Sequence, residues 1–284
     1  MKNLIKQVSL HGRRLYLSVS DKLVSKGAFA SGGESSIGRQ GGSVVLPGSP
    51  DTVALFDDFL ASDTGQLGGW SRVNADVDTG ASNAVSRLSV TNGVMRASFQ
   101  GTPVNSPAGV VGFTKYLTKN WKPNQGNLHF AARVKIPTLA SVNAFVGLSD
   151  SGGADMPAYD TGDAGGIPIT NMADGIGFMY SNLGSVTTWR AVTARSVATD
   201  SGDQTVNTGI TPTANTYDVL EFDMSDSGNA AVFKVNGALV GRLEAPVEAK
   251  TALVPGVWVF GSDTGTIQVD LDWINVSANR DTGT

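Results

Sequence analysis

From Leu128 to Ile136 the chain alternates: Leu128, Phe130, Ala132, Val134 and Ile136 are apolar, with His129, Ala131, Arg133 and Lys135 between them. A period of two belongs to a strand with one buried face, because successive side chains leave opposite sides of an extended backbone. Similar runs cover 94–99, 109–117, 142–148, 175–180, 186–194, 217–224, 230–235, 238–243, 255–261 and 267–273. Asp226-Ser227-Gly228-Asn229 and Asn236-Gly237 fall between runs, where residues that tolerate positive φ reverse a hairpin. No helical periodicity persists beyond a turn or two. About eleven closely spaced strands predict an all-β fold, a two-sheet antiparallel sandwich. The stretch from Gly152 to Asn171 has no such run and reads as a long loop.

Composition agrees with many short strands. Charged residues are 16% of the 284, apolar ones 40%, and there are 35 glycines, a balance that leaves little material for amphipathic helices. With no cysteine, a disulfide framework, a thiolate nucleophile and a sulfur-ligated zinc site are excluded. The histidines are His11 and His129 alone, too few for a multi-histidine metal site and scarce for a Ser-His-Asp triad. On this count the expectation is a protein that is not an enzyme, with no cofactor, no metal and no catalytic residue.

The first 50 residues differ from the rest. Residues 1–48 hold seven Lys/Arg against Asp21 and Glu34, a balance of +5, which leaves −9 for residues 49–284. Leu15, Leu17 and Val19 alternate with Tyr16, Ser18 and Ser20 as in a strand. Residues 27–50 contain seven Gly and five Ser, too little apolar surface to offset ordering entropy, and read as a linker. A basic arm on an acidic body suits docking on another surface, with Arg13, Arg14, Leu15, Leu17 and Val19 as partner-binding residues that add a strand to a neighbour's sheet. The arm is too sparse in basic and aromatic residues for nucleic acid, so no nucleic-acid partner is expected. No secretory signal and no run of ~18 apolar residues is visible, so neither a membrane partner nor export is expected. The boundaries read as an extended arm and linker over 1–50, a sandwich over 51–278 and a tail over 279–284.

The body resembles the concanavalin A-like (legume-lectin/laminin-G) jelly-roll superfamily. Leu55-Phe56-Asp57-Asp58-Phe59 with Gly69-Trp70 resembles its opening strand, and Asp174 to Tyr180 its central Asp-Gly-aromatic strand. Leu220 to Met224, a turn and then Val232 to Gly241 resemble its paired strands, and Val269 to Ile274 its closing strand. The resemblance covers 53–278 and implies a jelly roll. The Gly/Ala/Thr-rich style and the separate arm resemble tailed-bacteriophage virion proteins that reuse this fold. That implies a structural virion protein, a capsid decoration or cement (minor head) protein anchored through its arm. Its implied partners are the major capsid protein or other virion subunits, in a homo-oligomer assembled in the host cytoplasm. The alternative is a glycan- or receptor-binding module of a tail or head fibre.

Three chemistries follow from the fold. Laminarinase-type hydrolases of this superfamily carry alternating carboxylates on one strand, and Glu221-Phe222-Asp223 puts Glu221 and Asp223 on one face, with Asp226 in the turn beyond. Asp150, Asp155, Asp160 and Asp163 supply oxygen atoms in a Gly-rich stretch, a weak calcium signal that is equally ordinary turn chemistry. Sugar binding needs an exposed aromatic platform, for which Trp121, Tyr159 and Trp189 are the candidates; Trp70, Trp258 and Trp273 lie in alternating runs and are expected in the core.

Overall fold

The computed structural model describes residues 5–10, 13–18, 43–45, 52–59, 70–74, 84–88, 93–100, 110–115, 121–151, 157–160, 169–184, 186–196, 204–244, 246–261 and 266–279. Strands are numbered along the chain. One sheet has seven, in spatial order β15 (Gln204–Asn207), β14 (Arg190–Ala194), β13 (Gly175–Ser181), β10 (Val142–Ser149), β19 (Val254–Gly261), β8 (Val111–Thr114) and β5 (Ser71–Asn74). A second sheet, of nine strands, runs β18 (Ala238–Glu244), β17 (Ala230–Val235), β16 (Tyr217–Met224), β9 (His129–Lys135), β20 (Thr266–Asn279), β4 (Thr52–Asp57) and β3 (Ser43–Val45). β7 (Val94–Gln100) pairs with the first half of β20, and β6 (Ala84–Leu88) with β7. Two small pairs complete the set: β1 (Ile5–Leu10) with β2 (Arg13–Ser18), and β11 (Ala158–Tyr159) with β12 (Ile169–Thr170).

Pairings among the described residues are antiparallel. β9 lies between β16 and β20, and β10 between β13 and β19, so neighbours in space are far apart in the chain. That is the connectivity of a jelly roll, and the fold class is as the alternation implied. Among the described residues the strands number twenty rather than about eleven. One of the extra strands, β3, falls inside the stretch read as a linker and extends the nine-stranded sheet beyond β4. Hairpin chemistry acts where it was expected: Asn236 and Gly237 both have positive φ, 52° and 78°, and join β17 to β18.

The core lies between the sheets. Phe130 stacks on Phe222 at 5.0 Å, Phe222 touches Phe233 at 5.9 Å, and Phe233 meets Phe178 of the opposite sheet edge-on at 5.5 Å. Each ring has under 2% of its surface exposed, so this chain of four aromatics ties the two layers together.

β20 departs from strict alternation. Ile267, Val269 and Leu271 point into the core, and so do Ile274, Val276 and Ala278. The inward set changes from odd to even numbers across an irregularity between Leu271 and Trp273 in the pairing with β9. A β-bulge does this: one extra residue flips every later side chain to the other face. Asp272 and Trp273 are thereby left together on the outer side, and Trp273 is half-buried there rather than a core residue as expected.

Candidate functional site

The two outer faces differ in chemistry. On the seven-stranded sheet, the outward positions of β13 are Gly175, Gly177, Met179 and Ser181. Phe145, Met179, Val192, Trp258 and Phe260 form a second apolar cluster over this face, each no more than 3% exposed. Two rings lie flat because the sheet beneath has no side chain: a Cβ on Gly177 would sit 2.8 Å from Phe145 Cζ, and one on Gly256 2.5 Å from Trp258 Cη2. Asp160 closes the same face, its carboxylate accepting from Arg190 at 2.6 Å and its backbone N–H donating to Asn143 Oδ1 at 3.1 Å. This face is packed shut, and β13 carries no carboxylate; Asp174 lies just before it.

Asp174 serves local structure. Its carboxylate accepts from the backbone N–H groups of Ser196 and Glu248 and from the Thr251 hydroxyl, stitching three segments together. Burial, with Asp174 nearby, pushes the Asp150 carboxyl above its ordinary range. Asp160 is committed to Arg190, and Asp155 and Asp163 lie outside the described residues. Among the described residues no three acidic or histidine side chains converge on a cation position.

The outer face of the nine-stranded sheet is polar and aromatic, and register arranges it in rows across the strands. The first row is Arg96, Asp270, Lys135 and Tyr217. The second contains Trp273, Arg133 and Val219. The third is Phe56, Asn275, Ala131, Glu221 and Lys234. The fourth is Ala54, Ser277, His129, Asp223 and Val232.

The first two rows are one charge network. Asp270 has no exposed side-chain surface; Arg96 donates to both its oxygens at 2.5 and 2.8 Å, and Lys135 lies 3.2 Å away. Arg133 donates to Asp272 and stacks over the Tyr217 ring at 4.3 Å, with Lys135 over the same ring at 5.0 Å. Each charge meets an opposite charge or a ring face, which holds these long side chains in place. The hydrogen bond to Asp270 raises the Arg96 pKa, and burial with the two nearby carboxylates raises that of the Tyr217 hydroxyl.

The fourth row is held as firmly. Asp223 Oδ1 lies 2.7 Å from His129 Nδ1, and Oδ2 accepts from Lys234 Nζ at 2.7 Å. The bond to His129, helped by Lys234, holds the Asp223 carboxyl well below the usual range against an opposing contribution from burial. Asp223 therefore stays ionised and does not act as a proton donor. Glu221 and Asp223 do share one face, as the period of two required.

The residues named from sequence as a platform are placed elsewhere. Trp121 and Trp189 are each 1% exposed, and Trp189 donates from Nε1 to Asp218 Oδ2 at 2.9 Å. Neither offers the open ring that a sugar needs. Tyr159 is half-buried against Phe260 at 6.0 Å on the closed face. Side chains of Arg13, Arg14, Leu15, Leu17 and Val19 lie outside the described residues, as does His11. The backbone of 13–18 is seen as β2, paired with β1 in a sheet of its own. Sequence reasoning missed Trp273, Phe56 and Tyr217 as an outward aromatic set. The signal was present in the apolar phase of residues 267–278, which shifts by one at Trp273-Ile274.

No protein-family model and no curated protein matches the sequence. Among solved structures, the chain is similar to a prokaryotic β-1,3-1,4-glucanase (lichenase) derived from a mouse hindgut metagenome, with a TM-score of 0.50, 11% identity, and 78% of this chain and 98% of that one covered. It is equally similar to a glycoside hydrolase family 16 endo-glucanase from Bacteroides ovatus, with the same TM-score of 0.50, 11% identity and coverage of 78% and 98%. A carbohydrate esterase of the Shiga toxin-encoding bacteriophage phi24B aligns at a TM-score of 0.43 and 13% identity over 75% of this chain and 91% of that one, too loosely to support a virion setting. Identities this low establish a shared fold, the concanavalin A-like jelly roll, and nothing finer. They also correct the expectation that the chain is not an enzyme. The fold is one that glycoside hydrolases use, and their chemistry runs on carboxyl groups, so a scarcity of histidine and cysteine does not bear on it.

Proposed function

We propose that the chain recognises a glycan through the outer face of its nine-stranded sheet. The observation that carries this reading is the bulge in β20, which turns Trp273 out beside Arg133 and between the polar rows. A sugar presents an apolar C–H face and a rim of hydroxyls. Trp273 and Phe56 supply flat apolar surface, and Arg133, Asn275, Glu221 and His129 supply donors and acceptors at fixed positions around it. Side chains already tied by ion pairs lose little freedom on binding, which lowers the entropic cost of the complex. The test is titration of the chain with a panel of soluble oligosaccharides, read by tryptophan fluorescence and calorimetry. Binding to at least one glycan that Trp273→Ala removes and Trp189→Phe retains is the expected result. Binding that survives Trp273→Ala overturns the proposal.

A second reading concerns residues 1–50. The pair β1–β2 forms a sheet separate from the sandwich, and a hairpin of that kind is an element onto which a neighbour's strand can be added. In this reading the arm anchors the sandwich on virion subunits such as a major capsid protein, as a decoration or cement protein in a homo-oligomer. Removing residues 1–50 leaves a folded sandwich that no longer joins purified particles; undiminished incorporation of the truncated chain refutes it.

A further inference from the structure

The fourth row of the outer face carries a second chemistry. β9 lies between β20 and β16, and register places Ser277, His129 and Asp223 side by side on three adjacent strands. Cβ atoms of directly opposed residues on antiparallel strands are about 4.5–5.5 Å apart, one side chain's reach. Ser277 faces outward because of the bulge; with strict alternation from Leu271 it would point into the core. We infer that Ser277, His129 and Asp223 form an acyl-transfer site that hydrolyses ester groups.

The hydrogen bonding orients the base. A carboxylate only accepts, so the 2.7 Å contact with Asp223 Oδ1 places the proton on His129 Nδ1 and leaves the Nε2 lone pair available. Lys234 fixes the other oxygen of Asp223, so the carboxylate cannot rotate away from the ring. His129 and Asp223 side chains are 28% and 44% exposed, open to a substrate from solvent.

The reaction balances with water alone. His129 Nε2 takes the Ser277 hydroxyl proton as Oγ bonds to the ester carbonyl carbon. The tetrahedral intermediate collapses, the bond to the alkoxy oxygen breaks, and the leaving alcohol receives the proton from Nε2. Water then attacks acyl-Ser277 by the same route, releasing a carboxylic acid and restoring the hydroxyl. Asp223 is a positioning residue throughout. The chemistry stands without the glycan proposal, which supplies only the identity of the natural substrate, an acylated sugar lying across the same face.

The experiment treats the full-length chain with a fluorophosphonate probe and with p-nitrophenyl acetate. The expected result is a single labelled residue, Ser277 by mass spectrometry, and hydrolysis that Ser277→Ala and His129→Gln each lower by roughly 100-fold or more. Asp223→Asn is expected to displace the pH–rate profile, and Asp223→Glu to restore part of it, whereas a merely structural loss lowers the rate without moving the profile. Labelling elsewhere, no labelling, or unchanged hydrolysis in a Ser277→Ala chain with native circular dichroism overturns the inference. If Ser277→Ala fails to fold, the labelled residue in the unmodified chain decides the question alone. Labelling of Ser277 without any sugar binding defeats the glycan proposal and leaves this one standing; Trp273-dependent sugar binding without labelling does the reverse.

Discussion

Asp272 and Trp273 are consecutive residues of one strand, yet both face outward, because a bulge between Leu271 and Trp273 absorbs one residue. The outer face owes its arrangement to that single insertion. It delivers a carboxylate to Arg133, an indole to the middle of the sheet, and Asn275, Ser277 and Asn279 to the outside.

Inserting one alanine between Trp273 and Ile274 shifts the phase of the strand by one residue and turns Ile274, Val276 and Ala278 outward. Burial of an Ile or Val side chain contributes about 1.5–3 kcal/mol, so losing these contacts removes much of a typical 5–15 kcal/mol stability. The expected outcome is an insoluble or unfolded chain, measured as soluble yield and the urea midpoint. A native midpoint would show that the bulge does not set the register of β20.

Asp270 is the most demanding charge on the face, fully buried between Arg96 and Lys135. Replacing it with Ala leaves two cations facing an apolar wall, at an expected cost of about 3–5 kcal/mol. Arg96→Met together with Asp270→Leu removes the pair as a whole and is expected to be far milder. Urea denaturation of the single and double variants measures the difference.

Asp223 has a folded-state pKa below its unfolded value, so its contribution to stability is complete above the unfolded pKa of ~3.9 and is lost as pH falls further. Asp223→Asn is therefore expected to be less stable than the parent at pH 7, and to converge with it in acid below about pH 4. With 44% of the side chain exposed, solvent screening limits the effect to about 1 kcal/mol or less. Thermal denaturation from pH 2 to pH 7 measures it; a gap that persists unchanged in acid contradicts the assignment.

Trp189 and Asp218 form a buried hydrogen bond, and Asp218 also accepts from Asn236 Nδ2 at 2.8 Å. Trp189→Phe leaves Asp218 with an oxygen unserved, and the expected loss is about 1–3 kcal/mol with sugar affinity unchanged. Trp273→Ala is expected to show the opposite pattern, affinity lost and stability nearly kept. Paired measurement of melting temperature and affinity separates the two tryptophans.

Particular elements show how much was legible beforehand. β9 could be read to within one residue at each end, because alternation over nine positions is a local property of a half-buried strand. The turn at Asn236-Gly237 was equally plain, since few residues adopt positive φ at two positions in succession. Trp273 was misplaced. Val269-Asp270-Leu271-Asp272-Trp273 alternates cleanly when read forward, and only Ile274, Val276 and Ala278 reveal the change of phase. Trp121 and Trp189 were misplaced because their neighbours in sequence do not say which face a strand's end buries.

The sequence by itself determined the class of fold, most of the strands and the absence of sulfur chemistry, since side-chain periodicity and composition act within a few residues. The tertiary structure decided which charges meet. Arg96 reaches Asp270 across 174 residues, Arg133 reaches Asp272 across 139, and His129 reaches Asp223 across 94. Such pairs depend on strand order and register, which follow from how the two sheets close over one core. No window of sequence contains that information, because the burial that fixes register is shared by strands from both ends of the chain.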